Sequence, residues 1–370
     1  MGHRAGGSSR AGRYHRGVQA DEPVTIFTVA REAGVSKTTA SDALRGSGRV
    51  SEATRETVAR VAERLGYVPN GSARHLRKAS TGTIGLHVPE VLTRSSYYMS
   101  FVFGVVEQAA RHDYDVTLIT SGQRRARAPR VDGLVLGDPL GGDPVVESLM
   151  GTGLPTVSCE RFPGARQADG VVWSDHAPML ARLLDHLRES GATRPGLIVA
   201  GDESDWAASV HRGYLDWCGS HGVLPLVRRV SFDATGDEVR AAARALLDVP
   251  PGSTRETPSG ATRDTPSGAM ADGPGGGGPM DALVCAPAGA ATEVAPLLRE
   301  AGANVLLASC VDSAGTRLAD PPITAIDLRP REAGASCAEL LFELLSGAAP
   351  AGTERLHPIE LAVRASTHPR

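Results

Sequence analysis

The sequence is poor in aromatic residues and in cysteine, and it has no long apolar run; each scarcity closes off a class of protein. Phe, Trp and Tyr make up 4% of the 370 residues, so the core must lean on Leu, Val, Ile and Ala. No apolar stretch approaches the ~20 residues that cross a bilayer, so no membrane partner is expected. The first twenty residues carry Arg4, Arg10, Arg13 and Arg16 but no apolar h-region, which argues against a secretory signal and for a cytoplasmic protein. Five cysteines (Cys159, Cys218, Cys285, Cys310, Cys337) lie far apart, a pattern that excludes a zinc site or disulfide framework and fits a reducing compartment. The run Gly273–Met280 (GPGGGGPM) lacks the Lys-Ser/Thr of a phosphate-binding loop. No nucleophile with a base, no metal cluster and no cofactor loop is present, so no catalytic residue, metal or cofactor is expected.

What the chain does hold is a charge asymmetry. Residues 1–80 contain 14 basic and 7 acidic residues, a charge of +7 inside a chain whose net charge is −3. A basic head on an acidic body suggests that only the head meets a polyanion. Residues 1–22 read as a disordered basic tail.

In the head, Thr25 is placed to cap a helix over Ile26–Ala33 that buries Val29, Ala30 and Ala33. Gly34 supplies a sharp end. Ser36 caps a second helix, Lys37–Arg45, burying Ala40, Ala43 and Leu44. Two short helices about a glycine turn form a helix-turn-helix, whose second helix enters the DNA major groove. Ser51 opens a third helix, with Glu52 near its positive end and Val58, Val61, Ala62 and Leu65 at helical spacing. These helices define a DNA-binding domain over residues 23–69. A hinge helix or linker follows over 70–80, where Asn70 is placed to cap about two turns that form only when docked. Leu76, apolar among basic residues, suits a wedge between base steps in the minor groove.

The run Val24–Arg77 (VTIFTVAREAGVSKTTASDALRGSGRVSEATRETVARVAERLGYVPNGSARHLR) resembles the head and hinge of the lactose-repressor (LacI/GalR) family. Thr81–Leu86 (TGTIGL) resembles that family's entry strand, and Ile359–Thr367 (IELAVRAST) its closing strand. The resemblance implies that Lys37, Thr38 and Asp42 face base edges. It assigns phosphate contacts to Thr25, Ser36, Thr39, Ser41, Arg45, Tyr67, Asn70 and Arg74. Asp42 stands where the family usually has a basic residue; its carboxylate either accepts from a cytosine amino group or pairs with Arg45.

Beyond Thr81 the pattern alternates. Strands are expected at Thr83–Pro89, Asp115–Thr120, Val131–Gly137, Thr156–Cys159, Gly170–Trp173, Gly196–Ala200, Ala282–Ala286, Val305–Ala308 and Ile323–Ile326. Helices are expected at Ser100–Arg111, Ala177–Ser190, Val210–His221, Asp237–Leu247 and Ala290–Ala301. Such alternation means parallel sheets covered by helices. The fold class is therefore α/β: a small all-α helix-turn-helix head plus a two-lobed, periplasmic-binding-protein-like sensor domain over 81–370, with parallel sheets. Two segments break the plan. Gly122–Arg130 is shorter than the dozen or more residues of a parallel crossover. Residues 250–280 hold a tandem octapeptide, TRETPSGA then TRDTPSGA, in a Pro/Gly/Ser/Thr-rich stretch that reads as a disordered insertion.

The resemblance also implies a ligand cleft between the lobes, gripped by an Asp, an Arg and an Asn/Asp pair. Asp175 and Asp312 match two of these positions, and Trp206 either stacks on an apolar ligand face or simply packs. Val210 stands where the Arg is usual, and Ala286-Pro287-Ala288 where Asn-Asp is usual. Either the effector is less polar or differently held, or the cleft senses no small molecule. A transport binding protein explains the body but not the head. The reading that joins all features is a sequence-specific DNA-binding regulator, with repression as the default. Its expected partners are a pseudo-palindromic double-stranded operator, a second copy in a homodimer, and a small-molecule effector.

Overall fold

The computed structural model describes residues 24–67, 80–89, 95–120, 128–201, 203–250, 253, 255–257 and 278–368. They fall into two compact units that divide between Arg74 and His75.

The first unit holds α1 (Ile26–Glu32), α2 (Lys37–Arg45) and α3 (Glu52–Arg64). Each begins where a hydroxyl satisfies an orphan backbone donor: Thr25, Ser36 and Ser51 accept from the amides of Thr28, Thr39 and Thr54. Gly34 and Gly46, at φ +65° and +68°, make the left-handed ends of α1 and α2, a conformation costly for a residue with a Cβ. Val29, Ala30, Ala40, Ala43, Val58 and Ala62 form the small core.

In chain order the second unit begins β1 (Thr83–His87), α4 (Ser96–Arg111), β2 (Asp115–Ile119), β3 (Gly133–Gly137), α5 (Pro144–Met150), β4 (Thr156–Cys159), β5 (Gly170–Trp173) and α6 (His176–Glu189). It continues β6 (Pro195–Ala200), α7 (Asp205–His221), β7 (Leu226–Val230), α8 (Gly236–Leu247), β8 (Arg255–Thr257), β9 (Ala282–Cys285) and α9 (Ala290–Glu300). It ends β10 (Leu306–Ser309), α10 (Ala314–Leu318), β11 (Thr324–Asp327), α11 (Pro330–Ser346), β12 (Thr353–Leu356), β13 (Glu360–Ala362) and a 3-10 turn at Ala365–Thr367.

Two sheets result, ordered β12-β5-β4-β3-β1-β2 and β13-β11-β10-β9-β6-β7-β8. Every pairing is parallel except β11 with β13. The central strands are continuous apolar runs such as Pro195–Ala200, buried throughout, as a sheet covered on both faces requires, whereas β2, β12 and β13 are partly exposed. In the first lobe α11 lies against α4 at close range. A Cβ on Gly104 would come 1.9 Å from the Arg331 carbonyl, and one on Gly334 would come 2.1 Å from that of Phe101. Only glycine permits this approach.

The chain passes between the lobes three times, after β5, β11 and β12. His357 ties all three crossings: its amide donates to the Trp173 carbonyl (2.7 Å) and its ring Nε2 to that of Leu328 (3.1 Å).

The helices α5, α10 and α11 and the strands β7, β8 and β12 were not anticipated. The link from edge strand β2 to β3 carries no helix among its described residues 128–132, in line with the short Gly122–Arg130 segment. Leu118 on β2 is accordingly exposed. The disordered reading of 250–280 needs correction at its margins. Arg255–Thr257 pairs with Leu226–Arg228 as an edge strand. The fully buried Arg194 guanidinium donates to the carbonyls of Pro250 (3.3 Å), Ser253 (2.6 Å) and Gly278 (2.5 Å), closing the neck of the insertion. Residues 258–277 lie outside the described residues.

Candidate functional site

The head and the body each present a site. In the head, burial of Ala40 and Ala43 against α1 and α3 leaves Lys37, Thr38 and Arg45 exposed and Ser41 and Asp42 half-buried on the opposite side of α2. Ser36 and Thr39 are partly committed to the cap, their hydroxyls 2.8 Å apart. Lys37 Nζ sits 4.3 Å above the ring of the exposed Phe27, which aims the ammonium from α1's side and was not foreseen. The Asp42 carboxylate pairs with Arg45 at 2.7 Å, while Arg45 Nε donates to the Ser41 carbonyl. Of the two sequence readings of Asp42, the geometry here is that of the ion pair. Thr25 caps α1 and Tyr67 is half-buried beside α3. Asn70, Arg74 and Leu76 lie outside the described residues.

In the body, a cavity of about 380 Å³ opens at the carboxyl ends of the strands, between the two sheets. Ligands of open α/β sheets bind in such crevices, and the volume falls in the usual ~300–1,000 Å³ range of small-molecule sites. The sequence expectations for this site are corrected in two places. Asp175 is an exposed N-cap residue of α6 and does not line the cavity. Asp312 faces elsewhere: Arg364 grips its carboxylate with two bonds of 2.8 and 2.9 Å, and Arg317 and Thr316 add further donors. Burial alone would raise the Asp312 pKa, but these donors outweigh it and hold it at about 2. Trp206 does line the cavity. Val210, at the family's arginine position, is buried in the second lobe's core, and Arg212 instead donates to Ser209. Pro287 and Ala288 line the cavity without offering a polar side chain.

The residues that sequence reasoning missed are Asp138, Glu160 and His176, with Ser95, Tyr97 and Tyr98. Asp138 follows β3 and Glu160 follows β4, each in left-handed backbone at φ +47° and +65°. Non-glycine residues rarely hold that conformation, and such outliers cluster at functional sites. Glu160 accepts from His176 Nε2 at 2.9 Å and from the Ser174 amide at 3.4 Å. Burial opposes a charge on His176, yet the Glu160 carboxylate outweighs it and makes the ring more basic than usual. Asp138 accepts from the Tyr98 hydroxyl at 3.0 Å. Burial, then the neighbouring Glu160 charge, pushes the Asp138 carboxyl up to about 7. Three polar atoms of the lining have no hydrogen-bond partner among the described residues: Asp138 Oδ1, Ser95 Oγ and Trp206 Nε1.

The linker enters the body at Ser80–Gly82, where Asp132 accepts from the Thr81 amide (2.7 Å), the Gly82 amide (3.0 Å) and the Ser80 hydroxyl. The five cysteines are all buried and unpaired; burial pushes the Cys218 thiol up to about 11 and Cys310 to about 12, so they serve as small apolar residues. No helix among the described residues is long and apolar enough to cross a membrane.

Comparison with known proteins matches three family descriptions along the chain. Residues 25–70 match bacterial regulatory proteins of the lacI family. Residues 81–252 match the periplasmic binding proteins and sugar binding domain of that family, and residues 184–367 a periplasmic binding protein-like domain. The HTH-type transcriptional regulator RafR of Escherichia coli is 30% identical over 239 residues, 62% of this chain and 71% of that protein. The regulator CelR of Thermobifida fusca is 29% identical over 358 residues, 92% of this chain and 95% of its own length. Among solved structures, a CelR–cellobiose complex aligns with a TM-score of 0.62 at 25% identity, covering 93% of this chain and 99% of the other. A lac repressor dimer bound to operator and an anti-inducer aligns at 0.71 and 20% identity, covering 94% and 100%; at that identity the likeness is one of fold.

Proposed function

Because the chain belongs to the lacI family of bacterial regulatory proteins, we propose that it acts in the cytoplasm as a repressor, binding a pseudo-palindromic operator as a homodimer under the control of a small molecule held between its lobes. The observation that carries this reading is the exposed face of α2. A capped, nine-residue helix stands on a dedicated core and turns Lys37, Thr38 and Arg45 outward, with Ser41 and Asp42 beside them. Lys37 and Thr38 read base edges, while Thr25, Ser36, Thr39, Ser41, Arg45 and Tyr67 meet phosphates, with Asp42 paired to Arg45 beside them. Asn70 and Arg74 extend that set, and Leu76 wedges the minor groove. The helix-turn-helix domain spans 23–69, the hinge 70–80 and the effector and dimerisation domain 81–370.

A homodimer is supported by α4. Its buried side faces the first lobe's core, yet Met99, Phe103, Val106 and Ala110, spaced to fall on one stripe, are exposed, Phe103 by 53%. A second copy covers such a stripe with the same stripe. The cavity supports a ligand-controlled switch. A molecule bridging the lobes changes the strain at the three crossings pinned by His357, and Asp132 holds the linker to the first lobe. Operator affinity then changes by a coupling of about 1–3 kcal/mol.

Salt dependence tests the DNA reading. Six or more phosphate contacts across a dimer make affinity, measured by fluorescence anisotropy, fall by about 10³-fold or more between ~50 and ~200 mM salt. A flat response overturns it. In the same assay, Asp42→Ala removes a carboxylate near phosphate and frees Arg45. It raises affinity for arbitrary DNA by about threefold to tenfold and steepens the salt slope by about one unit. Loss of affinity confined to sites with one particular cytosine would instead make Asp42 a base reader.

A further inference from the structure

The cavity lining has an unusual charge inventory. Among the described residues it contains the carboxylates of Asp138, Glu160, Asp233 and Glu293 and the imidazole of His176, and no lysine or arginine. Three of the carboxylates are already engaged: Glu160 bonds His176, Glu293 pairs with Arg240, and Asp233 has an interaction of its own. Asp138 is the fourth. It is 7% exposed, its Oδ1 has no hydrogen-bond partner, and its neighbours are the Glu160 carboxylate, the Tyr98 hydroxyl and the His176 ring, which is already bonded to Glu160. Ser204 lies near enough to weigh on its charge without giving Oδ1 a hydrogen bond.

Two buried carboxylates brought together stay protonated or repel each other unless a positive charge comes between them or beside them. The raised pKa of Asp138 registers that unmet demand. Four aromatic rings also line the cavity: Tyr97 and Tyr98, which meet edge to face at 5.1 Å, with Trp206 and Phe232. Aromatic faces carry the negative side of their quadrupole toward a ligand and favour cations. An anionic ligand would face Asp138 beside Glu160 with no lysine or arginine in the lining to receive it. A neutral polyol would fill the space but leave Asp138 without a counter-charge.

We propose that the effector of this cavity is a small organic cation, an amine or quaternary ammonium compound, whose positive charge sits against Asp138 Oδ1 while the Tyr97, Tyr98, Trp206 and Phe232 rings enclose its apolar part. This rests on the reading of the cavity as the effector site and narrows it to a chemical class. Ser95 Oγ and Trp206 Nε1, both lacking partners, add a hydroxyl that donates or accepts and an indole that donates, and they suit an oxygen atom elsewhere on the ligand.

Matched pairs test the idea by isothermal titration calorimetry on the full chain: choline against its uncharged carbon isostere dimethylbutanol, putrescine against butanediol, and glucosamine against glucose. The expected result is that at least one amine binds about tenfold or more tightly than its neutral partner. Asp138→Asn, checked for an intact melting transition, removes that preference while the neutral compound binds as before. Trp206→Ala, as a second variant, weakens the amine without reversing the preference. Neutral members that bind as tightly as the amines, or glucose binding while no amine does, overturn the cation and leave the effector site standing. If no member of the panel binds, the cation inference is overturned and the effector-site reading loses its support with it.

Discussion

Phe103→Glu converts the protein to a monomer and lowers operator affinity by about 10²–10³-fold. Phe103 is the most exposed of the apolar side chains on α4, and it stands in a stripe with Met99 and Val106, each 40% exposed. In a two-fold dimer the same stripe from each copy meets its equivalent, so a single substitution places two carboxylates at the centre of one interface. Burying them unpaired costs several kcal/mol. The monomer keeps its head, because α1 to α3 pack on their own core. It loses the second half-site and the effective concentration that joining two heads provides, which is worth about 10²–10⁴ in affinity. Sedimentation velocity gives the mass and anisotropy the affinity. An unchanged dimer mass in the variant would remove α4 from the interface.

The second large effect is a gain. Asp138→Asn stabilises the ligand-free protein at pH 8 by about 2–4 kcal/mol. The sign follows from the direction of the shift. The folded-state pKa of Asp138, about 7, lies above the ordinary carboxyl value of 3.8. Its carboxyl therefore binds a proton more tightly folded than unfolded, and stability declines as pH rises from about 4 to about 7, with the full cost present above that. Asparagine is isosteric, has no proton to lose, still accepts from Tyr98 and tolerates the left-handed backbone at this position. The gap between variant and parent is thus small near pH 4 and reaches its plateau above pH 7 in denaturant titrations. A gap that does not change with pH would mean that Asp138 is ionised without penalty.

These two effects differ in how far the chain announces them. The three head helices match their expected bounds within a residue, because their signals are local. Thr25, Ser36 and Ser51 each stand one residue before a helix, and Gly34 and Gly46 supply the left-handed ends. The buried strands were legible for a similar reason, as unbroken apolar runs. Helix α11 was not, because Gly334 and small residues around it break the apolar stripe, and they are there so that α4 can approach its backbone. Strand β7 was hidden by Arg228 and Arg229; Arg228 is nevertheless buried and reaches the Ala245 carbonyl. Strand β12 alternates half-buried and exposed residues at a sheet edge, a weak pattern over four residues.

The cavity was the least legible part. Asp312 looked like a cleft residue, but Arg364, fifty-two positions further along the chain, takes its carboxylate. That pairing is a consequence of the β11–β13 arrangement and has no local signature. Asp138 and Glu160 lie outside the polar clamp that the family resemblance implies. Their signal is positional, one step past the ends of β3 and β4, and it becomes visible only when the strands are aligned in one sheet.

On the proposed reading, α2 of two copies reads a specific operator. The most direct test is selection of bound fragments from the source genome by the purified full-length protein, followed by affinity measurement on the fragments recovered. The expected result is a compact pseudo-palindrome whose half-sites lie about one helical turn apart and which binds at least about 10³-fold more tightly than scrambled DNA. Recovery of fragments without a shared sequence, bound only through salt-sensitive and sequence-indifferent contacts, would contradict it.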